Sequence, residues 1–204
     1  LLQTGIDTVI DHARRLGITS ELPPYPSLAL GVADIPLQEM VRPFMTFANN
    51  GNLRPIYYLE EIKDRQGNLI FKAQPEIPRQ VLPENEAHLS NMLSAVIDEG
   101  TGQRLRSVYG LHNEMAGKTG TTQNQVDGWF IGYNPQIVVG IRVGANDVNI
   151  HFNTIRLGQG ANMAMPIFGR FMKDCLESPN YQVWNRLSFP FALPPQQKET
   201  EIPT

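Results

Sequence analysis

The chain has 204 residues, 41% hydrophobic and 18% charged, which suits one globular domain with a sizeable core and excludes global disorder. A formal net charge of −3 and a pI near 5.8, with Lys and Arg scattered rather than striped, remove the electrostatic case for nucleic acid as a partner. No apolar run of about 20 residues is present to cross a membrane as a helix, and Cys175, as the single cysteine, excludes an internal disulfide.

The opening residues Leu1-Leu2-Gln3-Thr4-Gly5 lead straight into a helical pattern, without an initiating Met or a signal peptide. This start reads as an interior cut, with targeting information expected upstream. Ile6, Val9, Ile10, Ala13 and Leu16 recur at helical spacing, and Gly17 supplies the stop. Leu22-Pro23-Pro24-Tyr25-Pro26 predicts a rigid connector without regular structure. Leu37, Met40, Val41, Phe44, Met45 and Ala48 predict a second helix ending at Asn49-Asn50-Gly51, with Pro43 expected to kink or break it. Ile56 to Lys63 reads as a strand, Gln66-Gly67-Asn68 as a turn and Leu69-Ile70-Phe71 as the returning strand. A Pro-containing linker from Gln74 to Pro83 follows.

Leu89, Met92, Leu93, Val96 and Ile97 predict a third helix that stops at Gly100-Thr101-Gly102. Met115 to Thr121, Gly128 to Tyr133 and Gln136 to Val143 read as consecutive strands, the last two joined by a turn at Asn134-Pro135, which predicts an antiparallel meander. Ala161 to Leu176 is the last predicted helix, with Pro166 early in it. Cys175, beside Phe171, Met172 and Leu176, reads as a packing residue. From Pro190 onward the chain is polar and Pro-rich and is expected to be a disordered tail.

Chemistry concentrates in Ala116-Gly117-Lys118-Thr119-Gly120-Thr121-Thr122. A nucleotide-binding P-loop would need Gly five places before Gly117, where His112 stands, and a helix after it, where Gln123-Asn124-Gln125 and a strand follow. The segment instead fits the Lys-Thr-Gly strand of penicillin-recognising serine enzymes. A lysine on a strand sets a fixed charge beside a cleft. Thr119 and Thr121 alternate in phase, so their hydroxyls share one face. Gly120 between them lets a backbone or ligand approach, and a strand N–H can stabilise an oxyanion.

Further segments, in order, resemble class A penicillin-binding proteins: Pro26 to Gly31, Phe44 to Gly51, Ile62 to Gly67, Met92-Leu93 with Gly100-Thr101-Gly102, Ala116 to Thr122, and Asp127-Gly128-Trp129-Phe130-Ile131-Gly132-Tyr133-Asn134-Pro135. The resemblance runs from Leu1 to about Leu176. It implies an α+β fold of the penicillin-binding protein/β-lactamase type, with an antiparallel sheet flanked by helices on both faces and truncated at its N-terminal side. Residues 1–180 would be the C-terminal portion of a transpeptidase domain and 181–204 a Pro-rich disordered tail.

The implied reaction is D,D-transpeptidation of peptidoglycan. A serine attacks the penultimate D-Ala carbonyl of a stem peptide, and an amine of a neighbouring stem takes the acyl group; β-lactams mimic the donor and trap the serine. By resemblance, Lys118 supplies charge near a second serine, Thr119 and Thr121 hold the terminal carboxylate, and the Thr121 N–H is half of the oxyanion hole. Gly120 and Thr122 complete the substrate-binding strand, while Asp127 and Trp129 support it. The implied partners are D-Ala-D-Ala stem peptides, β-lactams and the upstream remainder of the domain; no cofactor or metal is implied. The location would be extracytoplasmic, in a parent with an upstream membrane anchor and glycosyltransferase domain.

The family also uses a Ser-x-x-Lys nucleophile motif and a Ser-x-Asn motif, both expected ahead of Leu1. Ser20, Ser27, Ser90, Ser94, Ser107, Ser178 and Ser188 all lack Lys at the third place. The chain alone is therefore expected to be catalytically inactive. A D,D-carboxypeptidase of the same superfamily, with water as acceptor, and a non-catalytic peptide- or partner-binding module are the alternatives. His12, His88, His112 and His151 show no metal-ligand spacing. Asn146-Asp147 with Asn149 reads as a turn or as the edge of a cleft, and Asp98-Glu99 as a helix-end charge pair.

Overall fold

The structure, a computed structural model, describes residues 3–74, 76–83, 88–147 and 149–189. Contacts divide the chain into two compact units, Leu1–Pro83 and Glu84–Thr204.

In the first unit, α1 (Ile6–Arg15) ends at Leu16, and Gly17 takes the left-handed φ of 95° that the stop requires. The rigid connector gives way to a short 3₁₀ turn, Pro26–Leu30. α2 (Leu37–Ala48) runs through Pro43 without breaking. The ring removes one amide donor, but Pro43 and Thr46 are buried and Phe44 meets Phe47 edge-to-face at 5.8 Å, so packing outweighs the lost bond.

β1 (Asn52–Leu53) pairs antiparallel with β4 (Arg79–Gln80), and β2 (Glu61–Lys63) with β3 (Leu69–Lys72). The strand expected from Ile56 thus shrinks to its last residues, because the returning strand offers ladder partners only there. The turn is as expected: Asp64 Oδ1 accepts from the amides of Gln66 (2.9 Å) and Asn68 (2.8 Å), and Gly67 has φ 88°. β4 falls inside the expected linker. A small core forms from Leu16, Val81 and Leu82, with Phe47 and Leu53 against it.

Glu39 of α2 ties down the chain after α1. Its carboxylate accepts from the amides of Thr19 and Ser20 and from the Ser20 hydroxyl, the latter two at 2.6 and 2.7 Å. Burial alone would raise its pKa, but these hydrogen bonds outweigh it and hold the carboxyl below its ordinary 4.5. A depressed folded-state pKa gives stability that is complete above 4.5 and lost as pH falls through the lower folded value. Glu39→Gln is therefore expected to lower the melting temperature at neutral pH, with the gap to wild type closing below pH 4.5. Thermal unfolding across a pH series checks it.

In the second unit, α3 (His88–Asp98) and the short α4 (Arg104–Ser107) precede β5 (Ala116–Thr121), β6 (Asp127–Tyr133) and β7 (Val138–Gly144). These strands form the expected antiparallel meander in the order β5-β6-β7. Asn134 closes the β6–β7 turn, its side-chain oxygen accepting from the amides of Gln136 and Ile137.

α5 (Ile155–Gly158), α6 (Gly160–Met163) and α7 (Met165–Glu177) follow. The helix expected from Ala161 to Leu176 is therefore two helices divided at Ala164. Pro166 has no N–H to continue the first, yet fits the opening turn of the second. α6 and α7 cover the sheet face that carries Gly128, Phe130 and Gly132, where Phe168 meets Phe130 at 5.0 Å. On strand β6 the alternating residue Tyr133 points to the other face, where its hydroxyl meets Ser90 of α3 at 2.9 Å and its ring meets Phe189.

Ile97, Leu105, Leu111, Met115, Phe130, Met165, Phe168 and Met172 are buried in one continuous core. Part of the span 181–204, expected to be a disordered tail, is ordered up to Phe189. Gln182–Arg186 forms a 3₁₀ turn, Trp184 packs against the core and Phe189 is buried, since these rings lose too much by facing water. The tail expectation from Pro190 onward lies outside the described residues.

Candidate functional site

The edge of β5 follows from its register. Thr122 N donates to Asp127 O at 3.1 Å, so the antiparallel alternation makes Gly120↔Trp129, Lys118↔Ile131 and Ala116↔Tyr133 the hydrogen-bonded pairs. Gly117, Thr119 and Thr121 then direct their N–H and C=O groups away from β6. Among the described strands β5 ends the sheet, so Thr119 and Thr121, unlike the buried Gly117, present donors and acceptors along its outer edge. Thr119 O on this edge accepts from Lys118 Nζ at 2.9 Å.

The side chains of the segment divide into those that face outward and those that brace. Lys118 is exposed. Thr119 and Thr121 stand opposite Phe130 and Gly128 and share one face, as expected. Thr119 Oγ1 lies 2.9 Å from Thr101 Oγ1, and Thr121 Oγ1 accepts from Gly160 N at 3.2 Å. Thr122 turns back to accept from Asp127 N at 2.8 Å, which closes the β5–β6 turn. A Cβ on Gly120 would lie 3.2 Å from Trp129 Cβ, so the neighbouring strand already takes up that space.

Three supports were not legible as such in the sequence. Thr101 appeared only inside a helix stop. Gly160 brings α6 onto the sheet, for a Cβ there would lie 2.3 Å from both Gly120 O and Trp129 O. Arg106 pins the segment entering β5: it pairs with Asp98 at 2.7 Å and donates to Leu111 O (2.5 Å) and Asn113 O (2.7 Å). Asp98, at the end of α3 as expected, thus has Arg106 as its partner. The Gly100-Thr101-Gly102 spelling was the signal available for the first; Gly160 depends on a contact 39 residues away, and Arg106 on backbone carbonyls that leave no sequence pattern.

Asp127 and Arg142 pair across β6 and β7 at 2.6 Å, and Trp129 stands opposite Arg142, so both act within the sheet. Asp147 accepts from the backbone and side-chain nitrogens of Asn149, each at 2.9 Å. Burial of Tyr133 pushes its hydroxyl well above the usual tyrosine range, and burial, then the charge of Asp174, raises the Cys175 thiol, away from reactivity. Among the described residues no cluster of three His, Cys, Asp or Glu side chains is placed to hold a metal, and no helix is long and apolar enough to cross a membrane.

One expectation needs correction. Ser178-Pro179-Asn180 does carry the Ser-x-Asn spelling, although that motif was expected only ahead of Leu1. Ser178 caps the C-terminus of α7, its amide donating to Asp174 O and Cys175 O. It comes after β5, where the family order places the motif before it, so the spelling alone does not make it the second serine.

The penicillin binding protein transpeptidase domain model matches residues 25–173. Penicillin-binding protein 1A of Aquifex aeolicus is 34% identical over 172 residues, 84% of this chain but only 23% of that protein. The crystal structure of penicillin-binding protein 1A from Haemophilus influenzae superposes with a TM-score of 0.81 at 24% identity, covering 95% of this chain and 33% of that one. Penicillin-binding protein A from M. tuberculosis, solved as its imipenem acyl-enzyme complex, superposes with a TM-score of 0.66 at 19% identity, covering 86% and 44%. At these identities the structural likeness shows the fold, and the family match covers most of the chain. The chain belongs to the penicillin-binding protein transpeptidase family, in the class A group of its penicillin-binding protein 1A relatives.

Proposed function

We propose that the chain forms the substrate-binding wall of a peptidoglycan D,D-transpeptidase and that its nucleophilic serine and the lysine that activates it are supplied from outside these residues. The observation that carries this reading is the edge of β5, where the Thr121 amide points away from β6 and the Lys118 ammonium reaches Thr119 O. A donor stem peptide lying along that edge receives the Thr121 N–H at its scissile carbonyl oxygen, as half of an oxyanion hole. Lys118 adds positive charge, and the hydroxyls of Thr119 and Thr121 hold the terminal carboxylate.

The serine Oγ bonds to the penultimate D-Ala carbonyl carbon, and the terminal D-Ala leaves as its amine. An amine of a second stem then attacks the ester, forms the crosslink and returns the serine hydroxyl. The implied location is extracytoplasmic, in a protein longer than this chain, since the chain spans under a quarter of its Aquifex relative.

The test is intact mass after incubation with a reactive β-lactam. The full-length protein is expected to gain the mass of the drug and the 204-residue chain to gain none. Acylation of the chain itself would place the nucleophile among its own serines and overturn this assignment.

A further inference from the structure

The hydroxyls of Thr119 and Thr121 serve a carboxylate only if each keeps its own proton free to donate. For Thr121 this is settled by its partner. Gly160 N can only donate, so Thr121 Oγ1 accepts at 3.2 Å and its O–H remains available. For Thr119 the partner is another hydroxyl, Thr101 Oγ1 at 2.9 Å, and either oxygen could donate. If Thr119 donated to Thr101, no proton would remain for the anion.

We propose that Thr101 is a positioning residue for carboxylate recognition: its hydroxyl donates to Thr119 Oγ1 and turns the Thr119 proton toward the bound anion. The proposal rests on the functional reading above. An anion at the β5 edge favours this orientation, because aligned O–H dipoles polarise one another in its field. Thr101 is also held in place. Gly102 N donates to Val96 O at 2.8 Å, and a Cβ on Gly100 or Gly102 would come within 2.9 Å of Val96 Cα or Ile97 Cδ1. The turn carrying Thr101 is therefore packed against the end of α3, which fixes its side chain opposite β5.

The test uses the full-length protein and the second-order rate of acylation by a β-lactam with a free carboxylate and by its methyl ester. Thr101→Val keeps the shape and removes the donor. It is expected to slow the acid about three- to tenfold, the range of one hydrogen bond, and to leave the ester rate unchanged. Thr101→Ser is expected to restore the acid rate. An equal fall for acid and ester, or no change for either, overturns the proposal. Failure of the wild type to react with both compounds instead overturns the transpeptidase reading beneath it.

Discussion

Lys118→Ala in the full-length protein is expected to slow β-lactam acylation by about 100-fold or more while leaving thermal stability within about 0.5 kcal/mol of wild type. The structure separates the two effects. Lys118 is exposed, and its ammonium bonds the carbonyl of its own neighbour Thr119 at 2.9 Å, so its removal leaves no cavity and no buried group unpaired. On the proposed reading, what is lost is positive charge at the point where negative charge develops, and losses of that kind cost two to three orders of magnitude in rate. Lys118→Arg keeps the charge but spreads it over a planar fork, and is expected to recover only part of the rate. Stopped-flow acylation kinetics beside a melting curve decide the matter. A rate within threefold of wild type for Lys118→Ala would remove the lysine from the proposed chemistry.

Residues acting through local pattern were legible in the sequence, and residues acting through distant contacts were not. The β5-β6-β7 meander could be read because alternation and the Asn134-Pro135 turn are local signals, and the structure returns those strands nearly to the residue. The face shared by Thr119 and Thr121 could be read for the same reason. The bracing of that face could not. The hydroxyl of Thr119 meets Thr101, 18 residues away, and that of Thr121 meets Gly160, 39 residues away. β1 and β4 were missed because two-residue ladders carry no periodicity. Pro43 and Pro166 show the limit of reading proline by rule. The same ring is tolerated inside α2, where packing holds the helix, and begins a new helix at α7, where it falls in the opening turn.

Phe168→Ala tests the support of the site from beneath. Phe168 is fully buried, its ring sits edge-on to Phe130 at 5.0 Å, and a Cβ at Gly132 would lie 2.7 Å from that ring. The aromatic side chain thus rests directly on the middle of β6. Truncation removes its transfer energy and leaves a cavity that the sheet and α7 close only partly, a loss of about 3–5 kcal/mol. Against a total stability of about 5–15 kcal/mol, that brings local opening of the sheet within easy reach. β5 pairs along its whole length with β6, so opening there also releases the register that points the Thr121 amide outward. Hydrogen exchange on the full-length protein is expected to show protection of the β6 amides falling by two or more orders of magnitude. The acylation rate should fall with it. Phe168→Leu, which refills most of the volume, is expected to recover most of both. If Phe168→Ala leaves β6 protection unchanged, the geometry of β5 is held by its edge contacts with Thr101, Gly160 and the segment pinned by Arg106 rather than by the core beneath it.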